Sequence, residues 1–184
     1  MKLILPLVCL LFFASCKRDP CKDPSVPGCN QNEEEELITT IELLFTDPSD
    51  STFQLTAVFT DPDGPGGNSP ESDTIVLDTN HIYYVSLSVR NESDSSNIIN
   101  LTPEILAEGD EHFICFIPPI ASFLISSTDS DGTYPIGLNS KWESIGAVSS
   151  TVRVMIKHQP AGLKNGTCVP GETDAEVDFP ILVE

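Results

Sequence analysis

The chain has 184 residues, 40% of them hydrophobic, with 28 Asp and Glu against nine Lys and Arg and a formal net charge of −19. That length and apolar content suffice for one buried core and do not require a second domain. So acidic a chain is repelled by nucleic-acid phosphates and by anionic lipid headgroups, which argues against a nucleic-acid partner and against electrostatic attachment to a membrane.

Near the start, Lys2 precedes an apolar run from Leu3 to Phe13, followed by Ala14, Ser15 and Cys16. The run is too short to span a bilayer. It resembles a bacterial lipoprotein signal, in which small residues admit the signal peptidase and the cysteine thiol takes up diacylglycerol; Phe13 stands where such signals more often carry Leu. Residues 1–15 are accordingly read as a signal peptide and Cys16 as the lipidation site, so that the protein meets the membrane through a lipid anchor. An ordinary secretory signal is the alternative. Residues 16–36 read as a lipidated tether, rich in Pro, Asp, Asn and Lys and closed by the self-repelling run Glu33 to Glu36. Acidic residues near the lipidated cysteine also resemble a surface-export address, but Lys17 and Arg18 follow Cys16 directly. The periplasmic face and the cell surface both stay open.

From residue 37 to 184 the dominant period is two, the mark of strands with one buried face. Leu37, Thr39, Ile41, Leu43 and Phe45 share one side of a first strand, and Phe53, Leu55, Ala57 and Phe59 one side of a second, with a turn at Asp47-Pro48-Ser49-Asp50. Tyr83, Val85, Leu87 and Val89 point inward on a third, and Val152, Val154 and Ile156 on another. His112 to Ile117 is apolar on both faces and reads as a central strand. Ala121 to Ser126, Ile136 to Trp142 and Glu176 to Val183 supply three more, the last placed at an edge or bulge by Pro180. Only Pro103 to Glu108 reads as a helical turn. About seven to eight short strands between turn clusters predict an all-β, immunoglobulin-like β-sandwich, with a barrel as the competitor.

Of the six cysteines, Cys9 leaves with the signal and Cys16 would be acylated. Cys21, Cys29, Cys115 and Cys168 remain to form disulfides. The short Pro-containing loop between Cys21 and Cys29 favours a local bridge, leaving Cys115 to pair with Cys168, although four cysteines allow three pairings.

Two constellations could hold metal. Asp61 and Asp63, leading to Asn68, Glu71 and Asp73, are echoed by Asp129 and Asp131; alternate carboxylates on a turning backbone suit Ca²⁺, while Pro65 and Gly66 depart from an EF-hand loop. The same residue types are ordinary β-turn formers. His112 and His158, with Asp110 and Glu111 adjacent, could meet at one end of the sandwich if their strands are neighbours, giving a donor set for Zn²⁺ or Cu²⁺. Histidines at strand ends also serve as hydrogen-bonded boundary residues. His81, in a turn, is given no role. No nucleophile elbow, H-E-x-x-H, P-loop or dinucleotide motif occurs, so no enzyme activity and no catalytic residue are expected.

Glu35 to Thr40, Phe59-Thr60-Asp61-Pro62-Asp63-Gly64, Gly109-Asp110-Glu111-His112, Ile156-Lys157-His158-Gln159-Pro160 and Gly171 to Val177 are together similar to a family of small Bacteroidetes lipoproteins labelled "type 1 periplasmic binding fold superfamily protein". Gln159 stands where members commonly carry Glu. The label names a fold of two doubly wound α/β lobes, which needs roughly twice this length and alternating helices. The resemblance implies an outer-membrane lipoprotein of uncharacterised activity, working beside a TonB-dependent transporter. The expected function is therefore a lipid-anchored binding or accessory module; the alternatives are a structural or surface-interaction module without a small ligand, or a weak metal-binding protein.

Overall fold

Period-two alternation buries one side of each long strand. The computed structural model describes residues 37–64, 66–118 and 123–184; Cys16, Cys21, Cys29 and the Glu33 to Glu36 run lie outside the described residues. Strands β1 (Thr40–Thr46) and β2 (Gln54–Thr60) form an antiparallel hairpin with Leu43 opposite Ala57. Ile41, Leu43, Phe45 and Ala57 are fully buried, and Phe53, Leu55 and Phe59 pack against them, because successive side chains of an extended chain point to opposite faces. Asp47 closes the hairpin turn, its Oδ1 accepting hydrogen bonds from the Ser49 amide and hydroxyl.

The remaining elements are β3 (Glu71–Ser72), β4 (Ile75–Leu77), β5 (His81–Asn91), β6 (Ile99–Asn100), α1 (Thr102–Ala107), β7 (His112–Ile117), β8 (Phe123–Ser127), β9 (Asn139–Ser144), β10 (Val148–His158) and β11 (Glu172–Val183). One sheet runs β3-β2-β1-β5-β9-β8, with β6 also paired to β5; the other runs β4-β11-β10-β7. This is an all-β sandwich. It has eleven strands in the described residues rather than about seven to eight. The additional β3, β4 and β6 hold two or three residues each, too few to show an alternation. Pairing is antiparallel except between β4 and β11.

The inner faces meet around Trp142, which is fully buried. Phe45 and Phe123 from its own sheet and Phe116 from the other present ring edges to it at centroid distances of 5.1, 5.5 and 5.5 Å, the edge-to-face geometry aromatic quadrupoles prefer. The indole N–H donates to Ser140 Oγ at 2.9 Å, satisfying the one polar group that burial would otherwise leave unpaired.

Two strand readings need correction. β7 is the edge of its sheet and not central. It is apolar on both faces because Ile114 enters the core while Phe113 and Cys115 on the opposite face are also buried, Cys115 through a disulfide to Cys168 with Cα atoms 5.9 Å apart. Its free edge is covered at Ile114, whose amide donates to the Ile136 carbonyl. This close approach requires Gly137 (φ +92°), where a Cβ would strike the Ile114 carbonyl oxygen. β11 in turn is interior at its end only: pairing with β4 starts at Ile181, so Pro180 is the last residue before the strand gains its second neighbour.

Cys115 and Cys168 are separated by 53 residues, so removing the bridge by a Cys115→Ala, Cys168→Ala double substitution is expected to lower stability by about 2–4 kcal/mol in urea denaturation. Non-reducing peptide mapping should return one peptide pair containing both cysteines; linkage of either to Cys21 or Cys29 would contradict the pairing.

Candidate functional site

Strand register brings together residues far apart in sequence. β7 and β10 pair with Ile114 opposite Ile156, and two residues further His112 lies opposite His158. Side chains opposite each other on an antiparallel pair are near neighbours, and here the imidazoles stack, with centroids 4.9 Å apart and planes 15° from parallel. His112 is the more enclosed, 10% exposed against 20% for His158. Its Nδ1 lies 3.3 Å from the Glu108 carbonyl oxygen and 3.9 Å from the Glu108 carboxylate. His158 Nε2 lies 3.5 Å from Glu111 Oε2. Burial first, and then the facing His158, hold the His112 imidazole below the usual histidine range, which favours its neutral form.

The surroundings fix these groups. The Gln159 amide donates to the Glu111 carbonyl, locking the turn before β7 to the end of β10. Gly171 (φ +78°) lies so close to the His158 carbonyl that no Cβ fits. The Gln159 side chain is fully buried, and its Nε2 donates to the carbonyls of Thr167 and Pro170, holding the loop that carries Cys168. A carboxylate at this position would have no hydrogen to offer those two oxygens. Asp110 is exposed.

The acidic turns are organised around protein donors. Asp63 Oδ2 accepts from the Asn68 amide and side-chain Nδ2 at 2.8 and 2.7 Å, and Asp73 Oδ2 from the Val58 amide. Asp63, Asn68 and Glu71 line an open depression of about 530 Å³ with Thr60, Pro62, Ser69 and Ser93. Asp61 Oδ1 is buried with no hydrogen-bond partner, as is Gln159 Oε1. Asp129 accepts from the amides of Gly137 and Asn139, one on each oxygen. Asp131 Oδ1 accepts from the amides of Thr133 and Tyr134, and its Oδ2 lies 2.9 Å from Lys164 Nζ. Both oxygens of Asp129 and of Asp131 are thus engaged, three by backbone amides and Asp131 Oδ2 by Lys164. Among the described residues no group of three or more His, Cys, Asp or Glu could hold a metal ion.

Three contacts had no legible sequence signal. Lys164 is buried, bridging Asp131 to the Gly109 carbonyl and so pinning the Cys168 loop to two others. His81, given no role above, lies 2.6 Å from Asp47 Oδ2 and ties the first hairpin turn to β5. Gln159 secures the Cys168 loop from below. Each joins segments distant in sequence, and only a residue type that rarely stays buried unpaired, such as Lys, hints at a partner.

A scan against protein-family models and searches of curated proteins and of solved structures return no match to this chain.

The Asp131 carboxyl is held down to about 2 by the Tyr134 amide and by Lys164. A carboxyl depressed in the fold contributes stability above its unfolded value near 4 that is lost as pH falls toward 2. Urea midpoints of the parent should therefore drop more steeply between pH 4 and pH 2 than those of Asp131→Asn. Lys164→Met should cost about 3–5 kcal/mol at neutral pH, toward the lower end because Asp131 keeps its backbone donors.

Proposed function

We propose that the protein is a lipid-anchored accessory module that binds through the surface of its sandwich, serving uptake at the outer membrane beside a TonB-dependent transporter, and that it is not an enzyme. The observation that supports this reading is the division of labour among the side chains. Inner faces fill the core with apolar and aromatic groups, while the acidic turns hold themselves rigid through their own hydrogen bonds. The depressions at Thr60 to Ser93 and at Thr46, Tyr84, Ser86 and Asn139 are open to solvent. Such a scaffold displays turns and sheet faces to a partner, the common use of a sandwich fold.

Anchorage follows from Cys16. One acyl chain holds a protein marginally, and two or three hold it stably. An acidic domain repelled by headgroups stays clear of the bilayer on its tether.

Cys16→Ala should leave the membrane fraction for the soluble one, and intact mass of the parent should show acyl mass on Cys16. A photo-crosslinker at exposed Ser69, beside the larger depression, should give one discrete adduct with an outer-membrane transporter in membranes carrying the anchored parent and none with Cys16→Ala. Membrane retention of Cys16→Ala, or absence of any adduct from exposed positions on both sheets, would refute this function.

A further inference from the structure

We infer that the outer face of the larger sheet binds neutral saccharides, with Tyr84 as the surface on which a sugar ring stacks and Ser86, Thr128 and Asn139 as its hydrogen-bonding rim. The strand period creates this face. Tyr83, Val85 and Leu87 of β5 enter the core, so Ile82, Tyr84 and Ser86 point away from it. Register places Thr46 of β1 on one side of Tyr84 and Lys141 of β9 on the other, with Asn139 beside Ser86. Tyr84 is 47% exposed, an aromatic side chain presented on a rigid sheet.

Side-chain hydrogen bonding sets this face apart from the turns. Asp47, Asp50, Asp63 and Asp94 spend their oxygens on neighbouring amides. Thr46 donates to the Tyr84 carbonyl, but among the described residues the Tyr84 phenol and the side chains of Ser86, Thr128 and Asn139 make no hydrogen bond to the protein. These four residues line one open depression of about 230 Å³ with their donors and acceptors available. A few convergent polar groups beside an apolar surface are the usual make-up of a small-molecule site.

Charge selects the ligand class. None of the described residues lining the depression is charged, and the nearby Lys141 and Glu143 pair with each other at 2.6 Å. An anion is repelled by a chain of net charge −19, and a cation finds no carboxylate in the lining. A neutral sugar matches what remains. Its hydroxyls both donate and accept, as hydroxyl and amide side chains do, and its apolar C–H face sets positively polarised hydrogens on the negative face of an aromatic ring. Ile82 and Leu124, 39% and 50% exposed on the same sheet face, extend the apolar surface past one ring. The inference rests on the accessory-module reading, whose surface it supplies with a ligand class; binding itself requires neither anchor nor transporter.

The test is calorimetric titration of the full chain, in a detergent without a sugar headgroup, with maltotetraose, cellotetraose, mannotetraose, chitotetraose and the anionic tetragalacturonate in separate runs. At least one neutral tetrasaccharide should bind, with a dissociation constant on the order of 10⁻⁴ M for so open a site, and tetragalacturonate should not. Tyr84→Ala should weaken binding by at least about 30-fold, and Tyr84→Phe, which keeps the ring, by only about 2- to 5-fold. Asn139→Ala should cost about 5-fold, whereas Thr151→Ala, on the outer face of the other sheet, should leave binding unchanged. Saturation-transfer NMR should place the Tyr84 ring against sugar C–H protons. These side chains are exposed, and retention of the parent's circular dichroism separates a lost contact from a lost fold. Cys16→Ala should bind the saccharide as the parent does, so a missing transporter adduct and missing saccharide binding are separate results. Binding of no neutral tetrasaccharide, equal binding of tetragalacturonate, or undiminished binding in folded Tyr84→Ala would overturn the assignment.

Discussion

Closing two sheets face to face requires that every inward side chain of one find an apolar partner on the other, and here that requirement centres on Trp142. Its ring lies against Phe45, Phe123 and Phe116, so it touches both sheets. Displacing it would open the core where the sheets meet, a loss of the size seen when buried aromatics are truncated, about 3–5 kcal/mol. β5 and β9 beside it carry alternating inward residues for the same reason: their other face looks onto solvent.

The outer face of the smaller sheet is treated differently. On the outer face of β7, Phe113 and Cys115 are buried, and the loop 160–171 is bonded there through Cys168. It is held by one covalent bond, by the Gln159 amide and by the buried Lys164–Asp131 pair. A buried ion pair is weak evidence of net stability, since desolvation offsets attraction. Its value here is placement, because Lys164 satisfies a carboxylate and a carbonyl from two other segments at once.

Charge is distributed under a related constraint. Only five Lys and Arg lie in the described residues, and each is engaged: Arg90 by Glu42 and Glu92, Lys141 by Glu143, Arg153 by Glu176 and Asp178, Lys157 by Gly171 and Thr173, and Lys164 by Asp131. The excess carboxylates leave a negative field around the domain, which raises the local concentration of cations and discourages anionic partners. The histidine pair sits within that field.

Local alternation alone determined which faces of β1, β2, β5 and β10 are buried, because a strand's side chains alternate whatever its neighbours are. The turn at Asp47 and the short helix at Pro103 were legible for similar local reasons. Composition determined the acidity, and the same alternation the all-β class. Which strand lies beside which is a property of the whole chain: the apolar run at Phe113 to Phe116 looks the same in a central strand and in an edge strand whose outer face carries a disulfide-bonded loop. The two- and three-residue strands are too short to carry a period, and the pairing of Asp47 with His81, of Asp131 with Lys164 and of Gln159 with the Thr167 and Pro170 carbonyls lies beyond any local pattern. His112 and His158 were identifiable as strand-end histidines, but 46 positions of chain separate them. Only the β7–β10 register, which sums the pairing preferences of every residue along both strands, decided that they meet.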